Sequence, residues 1–351
     1  MSAEPLPASV QTLYSELLDL AIQAEAGRIA EGLPAGTFVA KEIRGARYWY
    51  LQVAVGAQKA QRYLGRETPE LLRWMEKVAA TRESGLEDSA LRERLVAMLI
   101  RGGAHREEAP SGRVLRLLAD LGVFHRGGVL VGTHAFQAYG NLLGLRFEQR
   151  HQRTEDIHSA HDLAIAFGLL DEPRAEVERS LVSSGLGLLP VPGLDPRSPA
   201  TSFKVRGREL RIDFLVPARS KREEAPVAIP GLGVSAQPLW FLDYLIEAPI
   251  PAVILHGAGI LAQVPTPARF ALHKLWVARD RPAAFQVRSL KDRRQARALL
   301  EVLVGDRPHD LREAWEALAE RKSARKIITA EIGALPAELR DRLAAIGVAK
   351  P

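Results

Sequence analysis

Residues 127–166 read GGVLVGTHAFQAYGNLLGLRFEQRHQRTEDIHSAHDLAIA, and the fold turns on how this stretch is read. Val129, Leu130 and Val131 form a short apolar run between Gly127-Gly128 and Gly132-Thr133, which predicts a buried strand. An apolar helix follows through Ala135, Phe136, Ala138, Tyr139 and Leu142, and a basic loop then leads to Thr154-Glu155-Asp156-Ile157-His158. Backbone amides at a strand–glycine–helix turn are suited to hold a phosphate. A second strand bearing carboxylates beside it would bring a hard divalent ion to that phosphate. His158 stands where a second carboxylate would serve better.

Downstream, Thr201–Arg206 and Leu210–Val216 predict a hairpin across Gly207-Arg208. Its second strand reads LRIDFLVP. An acid among apolar strand residues is costly to bury unpaired, so Asp213 calls for a metal, a cation or a strand edge. Glu172–Ser184 reads as helix and Leu186–Ser198 as a Gly/Pro-rich loop. Ala252–Leu255 and Ile260–Val264 read as strands, with a helix-like Trp240–Ile246 before them. Arg269–Arg279 is a helix carrying Lys274, and the basic segment Arg288–Arg297 enters a helix that reaches Leu303. Two amphipathic helices, near Asp310–Lys322 and Pro336–Ile346, close the chain.

Upstream, residues 8–32 predict a helix through Val10, Leu13, Leu17, Leu18, Ala21 and Ile22. Residues 37–65 hold three β-rich runs separated by Arg44-Gly45-Ala46 and Gly56-Ala57-Gln58. Alternation puts Tyr48 and Tyr50 on one face of the middle run, with Trp49 and Leu51 on the other. Arg47, Lys59 and Arg62 are among the surrounding cations, so this sheet is a candidate nucleic-acid platform, since aromatic rings stack on bases and cations meet phosphates. The competing reading is that one aromatic face simply packs on helices. Thr68-Pro69-Glu70 starts a helix to about Arg82, a second covers Leu86–Arg101, and the charged stretch Ala104–Gly112 reads as a surface linker. A further helix precedes Gly122. The chain thus divides into an accessory region at 1–110, a core at 111–265 and a C-terminal helical region at 266–351.

At 351 residues, 47% of them hydrophobic and 26% charged, the composition is that of a globular chain of two or three domains. No cysteine is present, which excludes a disulfide framework, Cys-ligated zinc and thiol catalysis. The first residues have neither the basic start nor the apolar run of a signal peptide, and no apolar stretch approaches the ~20 residues of a membrane helix, so a cytoplasmic protein without membrane contact is expected. A net charge of +6 makes a polyanion a plausible partner. The chain has no Gly-x-Ser-x-Gly elbow and no Walker loop, which argues against a serine hydrolase or a P-loop ATPase.

The ordered series VLVGTHAFQAYGNLLG…RTEDI, LRIDFLVP, FLDYL and VPTPARFALHKLWVARDR…KDRRQA resembles a group of prokaryotic nucleotidyltransferase-fold proteins. These belong to the polymerase-β-like superfamily and are distantly related to toxin nucleotidyltransferases of the abortive-infection type. The resemblance covers most of residues 113–305. It implies an α+β core of mixed sheet and flanking helices, and transfer of a nucleoside monophosphate from a nucleoside triphosphate with Mg²⁺ or Mn²⁺. By the same resemblance, Gly132 and Thr133 would contact the triphosphate and Arg153 would lie near the nucleotide, flanking the metal strand with Thr154. Asp156 and Asp213 would hold metal as the catalytic carboxylates, and Lys274 would neutralise phosphate charge. Lys291 and Asp292 fall in the matching basic segment, as a structural pair or as substrate contacts.

The departure is His158, where the family pattern has Asp. Imidazole brings no negative charge and suits Zn²⁺, Mn²⁺ or Ni²⁺ better than Mg²⁺. Either Asp162 replaces the lost carboxylate, or the site uses one metal or a softer one with His158 as a ligand, or it is dead. In the last case the protein is a catalytically impaired member that binds nucleotide or nucleic acid as a regulatory or partner module. His134, next to Thr133, reads as a hydrogen-bonded packing residue. The acceptor is open among RNA, protein and small molecules.

Overall fold

The computed structural model describes residues 3–31, 36–43, 45–55, 58–147, 156–161, 177–191, 200–206, 210–229, 232, 234–281 and 286–349. The architecture is α+β, built on a mixed sheet. Its strands run in the order β11 (Val227–Ile229), β12 (Val234–Leu239), β10 (Arg211–Pro217), β7 (Asp156–His161), β5 (Gly128–Val131), β14 (Ile260–Val264) and β13 (Ile250–Ile254). β9 (Ser202–Val205) lies antiparallel to the first half of β10, as the hairpin reading predicts, and β8 (Leu188–Pro190) lies beyond it. β10 is parallel to β7 and β12, whereas β5 is antiparallel to β7. Strand β10 shows why the period of two matters. Ile212, Phe214 and Val216 are buried on one face, while Arg211, Asp213, Leu215 and Pro217 are half-buried on the other. β5 is buried throughout, as a continuous apolar run in mid-sheet must be.

Helix α4 (Gly132–Leu142) leaves the end of β5 and is buried on almost every side. The Phe136 ring lies 4.9 Å from that of Phe147, and the Tyr139 hydroxyl donates to the carbonyl of Pro265 at 2.8 Å. α7 (Pro267–Asp280) begins as its sequence demands, with the Thr266 hydroxyl as N-cap and Pro267 in the first turn. α8 (Gln286–Asp306) packs along it, and α9 (Pro308–Glu316), α10 (Lys322–Gly333) and α11 (Ala337–Ala345) complete a cluster whose core is continuous with that of the sheet. Sequence reading expects two closing helices after Leu303, and three are found. The additional helix, α10, buries Ala324, Ile328 and Ile332 in a segment that also carries Lys and Arg, with Ile327 packed beside them. α3 (Ala109–Asp120), α5 (Val177–Ser183) and the short α6 (Leu242–Ile246) cover the remaining edges.

At the N-terminal end, β1 (Ala3–Pro5) pairs with β6 (Leu145–Phe147). α1 (Ala8–Glu31) and α2 (Pro69–Arg101) pack a smaller core of Tyr14, Leu17, Leu95 and Leu99 against Val253 and Leu255. The two helices expected at 68–82 and 86–101 are one helix of 33 residues. Gly85 lies inside it, an interruption that costs only ~1 kcal/mol where no proline accompanies it. A separate three-stranded sheet, β2 (Thr37–Ile43), β3 (Ala46–Val55) and β4 (Gln58–Arg66), sits at the start of α2. Leu51 is fully buried, Phe38 meets Trp74 of α2 at 6.0 Å, and the Trp49 indole donates to Glu67 at 2.9 Å.

Candidate functional site

One line of register partners crosses four strands. Ser202 of β9 is opposite Asp213 of β10, Asp213 is opposite His158 of β7, and His158 is opposite Val131 of β5. Strands lie about 4.8 Å apart, so the backbone of Asp213 comes within about 10 Å of the residue that precedes Gly132. Asp156 is two residues along, opposite Arg211. The side chains of Asp156 and His158, and Arg153, Thr154 and Asp162 altogether, lie outside the described residues. Among those described, no three His, Asp or Glu side chains converge as a metal cluster.

Asp213 owes its half-buried place to a cation. Its Oδ1 accepts from Arg211 Nε at 2.6 Å and from Ser202 Oγ at 2.5 Å, while Arg211 Nη2 donates to Ser202 Oγ at 2.9 Å. Of the three explanations open for this acid in the sequence, a charge partner on its own strand face is the one observed.

Beside this line the chain turns from β5 into α4. Gly132 has φ +74°, a left-handed conformation that favours glycine. Among the described residues no side-chain cap bond is made at Val131, the N-cap of α4, and the first-turn N–H groups and the positive end of the dipole lie at this turn. Thr133 is buried, and its Oγ1 accepts from Lys291 Nζ at 2.8 Å. From α7, Lys274 Nζ donates to Asp292 Oδ1 at 2.6 Å, and Arg281 Nε donates to Asp292 Oδ2 at 2.8 Å. Burial pushes the Asp292 carboxyl up, but the two cations and their hydrogen bonds outweigh it and hold the group below the usual carboxylate range.

These groups line one cavity of about 400 Å³. Lys274, Arg281, Arg288 and Lys291 bring four positive charges to its wall against the carboxylates of Asp280 and Asp292, so the cavity favours an anion. Apolar and aromatic side chains, Trp240, Phe270 and Trp276 among them, complete the lining, with Lys274 Nζ 5.2 Å above the Phe270 ring. His273 adds no charge, because burial first and the neighbouring Lys274 second lower its pKa to about 3. Phe241 has φ +69°, a strained conformation for a bulky residue. Its ring stacks on Tyr244 at 4.9 Å and faces His273 at 5.4 Å and Trp276 at 4.9 Å. That stack offsets the backbone strain and fixes the turn that presents Trp240, 38% exposed, to the cavity.

Of the residues singled out in the sequence, Gly132, Thr133 and Lys274 therefore meet around one space. Asp213 lies on the same face of β10 as Leu215, which also lines it. Lys291 and Asp292 do not pair with each other. They reach Thr133 and Lys274 respectively, although neighbours in sequence. Sequence reasoning missed Arg281, Arg288, Trp240 and Trp276. Arg281 had a signal, since it follows Lys274 by seven residues, about two helical turns on, at the C-cap of α7.

His134 points away from this cavity into a buried pair. Its Nδ1 lies 3.1 Å from Glu107 Oε2, and Glu107 also accepts from the Ser111 hydroxyl. Burial would raise the Glu107 carboxyl, yet the His134 and Ser111 hydrogen bonds, with the His134 charge, bring its pKa to about 2. Residues 104–112 are thus not a surface linker, because Ala104, Glu107, Ser111 and Gly112 are buried.

The sequence matches the family described as Nucleotidyltransferase over residues 109–320, and the chain belongs to that family. No curated protein and no solved structure matches it. Membership carries nucleotidyl transfer as the general activity and a nucleotide as substrate. No helix among the described residues is long and apolar enough to cross a membrane.

Proposed function

We propose that the protein transfers a nucleoside monophosphate from a nucleoside triphosphate to an acceptor hydroxyl, with the triphosphate in the cavity at the start of α4. The observation that carries this reading is the joining of a glycine turn at the start of α4 to a cavity lined by four cations and by aromatic side chains. Polyphosphate would lie against Gly132, Thr133, Lys274, Arg281 and Lys291, with the base toward Trp240. Arg153 is proposed as a further nucleotide contact. Asp156, His158 and Asp213 would hold a divalent ion, Mg²⁺ or Mn²⁺. Such an ion neutralises charge that develops on the transferred phosphoryl group. Lys291 holds Thr133 at the turn, while Asp292 keeps Lys274 and Arg281 gathered. The acceptor is RNA, a protein side chain or a small molecule.

The pairing of Asp213 with Arg211, together with His158 in place of a carboxylate, favours a second reading in which nucleotide binds without transfer. Incubation with each labelled triphosphate and Mg²⁺ or Mn²⁺ separates the two. Transfer by the native chain that is lost in Asp156→Ala supports the enzyme. Transfer only by His158→Asp supports the impaired site. Failure of both to bind triphosphate in calorimetry refutes the reading of the cavity itself.

A further inference from the structure

The three-stranded sheet has one covered face and one open face, and the division does not follow the cations named in the sequence. Phe38, Trp49 and Leu51 lie on the covered side, toward α2. Arg47 belongs to the same side by alternation and lies 3.6 Å from Glu67, while Arg62 is the register partner of buried Leu51. The other face carries Tyr48, Tyr50 and Tyr63. Tyr50 is directly opposite Tyr63 with ring centres 5.4 Å apart, and Tyr48 lies 6.3 Å from Tyr63. Tyr63 is 56% exposed. Lys41, opposite Tyr48, sits 4.7 Å above the Tyr50 ring and donates to Gln61 at 2.6 Å. A β-bulge after Trp49 brings Arg66 opposite Tyr48, and Lys59 follows Gln61 and Tyr63 in alternation on the same face. Among the described residues this face bears three cations and no acid.

We propose that this open face binds single-stranded nucleic acid, with bases stacked on Tyr48 and Tyr63 beside the Lys41-covered Tyr50 ring, and phosphates met by Lys41, Lys59 and Arg66. The argument is one of complementarity. Flat, neighbouring rings offer π surface to unstacked bases of any identity, and the cations around them match a phosphate backbone. A duplex hides its base faces and would use only the charges. The face lies on a different sheet from Gly132 and Asp213, so its test does not depend on the transfer reaction.

Fluorescence anisotropy of the full chain tests it, with short labelled single strands of uridine or thymidine and a duplex of equal length, at low and at physiological salt. The native chain binds both single strands more tightly than the duplex. Tyr63→Ala, at an exposed position, weakens single-strand binding roughly 5–150-fold, the equivalent of the ~1–3 kcal/mol of stacking per base. Tyr63→Phe keeps the ring and binds like the native chain. Neutralising Lys41, Lys59 or Arg66 lowers the salt slope by about 0.7 each, whereas Arg47→Ala does not reduce the preference for single strands. Circular dichroism verifies that each variant is folded. Equal binding of duplex and single strand, no effect of Tyr63→Ala in a folded protein, or no binding of nucleic acid by the native chain each overturns the proposal.

Discussion

Asp292→Asn separates the electrostatic role of the α7–α8 contact from its packing. Asn keeps the size of the side chain and removes only the charge, so no cavity forms. What is lost is the one carboxylate shared by Lys274 and Arg281, at 2.6 and 2.8 Å. Removing one partner of a buried ion pair costs about 3–5 kcal/mol, chiefly because the other charge is stranded. Here the stranded side chains retain 12% and 30% of their exposure and open onto a cavity, which solvates them in part. The lower value of about 2–3 kcal/mol follows, or a fall in Tm of roughly 4–12 °C at the ~2–4 °C per kcal/mol of larger domains. The pH dependence is fixed in sign. Because folding depresses the Asp292 pKa, its contribution is complete above the unfolded value of ~3.9 and disappears as pH falls through the lower folded value. The difference between native and variant is therefore full at neutral pH and shrinks below about pH 4. Inorganic triphosphate should raise the Tm of the variant more than that of the native chain, because the cavity wall has lost one of its two carboxylates. Differential scanning fluorimetry across pH, with and without triphosphate, measures all three quantities. A variant as stable as the native chain at neutral pH, or one that gains no more from triphosphate, refutes this account of the cluster.

Three other substitutions probe separate parts of the molecule. Gly132→Ala forces a Cβ into a left-handed residue at about 1–2 kcal/mol, and it should also abolish the thermal shift given by triphosphate; a full shift in the variant would show that the turn does not hold phosphate. Trp240→Ala, at a partly exposed position, should alter stability by less than ~0.5 kcal/mol while weakening nucleoside triphosphate binding and leaving inorganic triphosphate unaffected, which titration calorimetry distinguishes. Glu107→Gln removes a charged acceptor from His134 and Ser111 and should destabilise by about 1–3 kcal/mol. As the folded pKa is about 2 against 4.5 for the free group, that difference is complete above pH 4.5 and fades on acidification toward pH 2; thermal melts showing a constant difference over this range would exclude the charged pair.

What could be read in advance follows the range of the interactions. The run Val129–Val131, the Gly132-Thr133 turn and the alternation of β10 are set by neighbours in the chain, so the α+β core and its family resemblance are legible there. The partnership of Lys291 with Thr133 spans 158 positions, and no local pattern encodes it. A charged stretch such as 104–112 reads as surface until a buried His134 is known to face Glu107. The same limit explains the N-terminal sheet. Alternation sorts Tyr48 and Tyr50 from Trp49 and Leu51 but is symmetrical about which face is covered. Trp74 of α2 breaks that symmetry through Phe38, from outside the sheet. Once it does, Arg47 falls with the covered side, and the tyrosines are left with Lys41, Lys59 and Arg66. Counting cations along the strands could not make that distinction, because charge is additive along a sequence whereas recognition depends on which charges share a face.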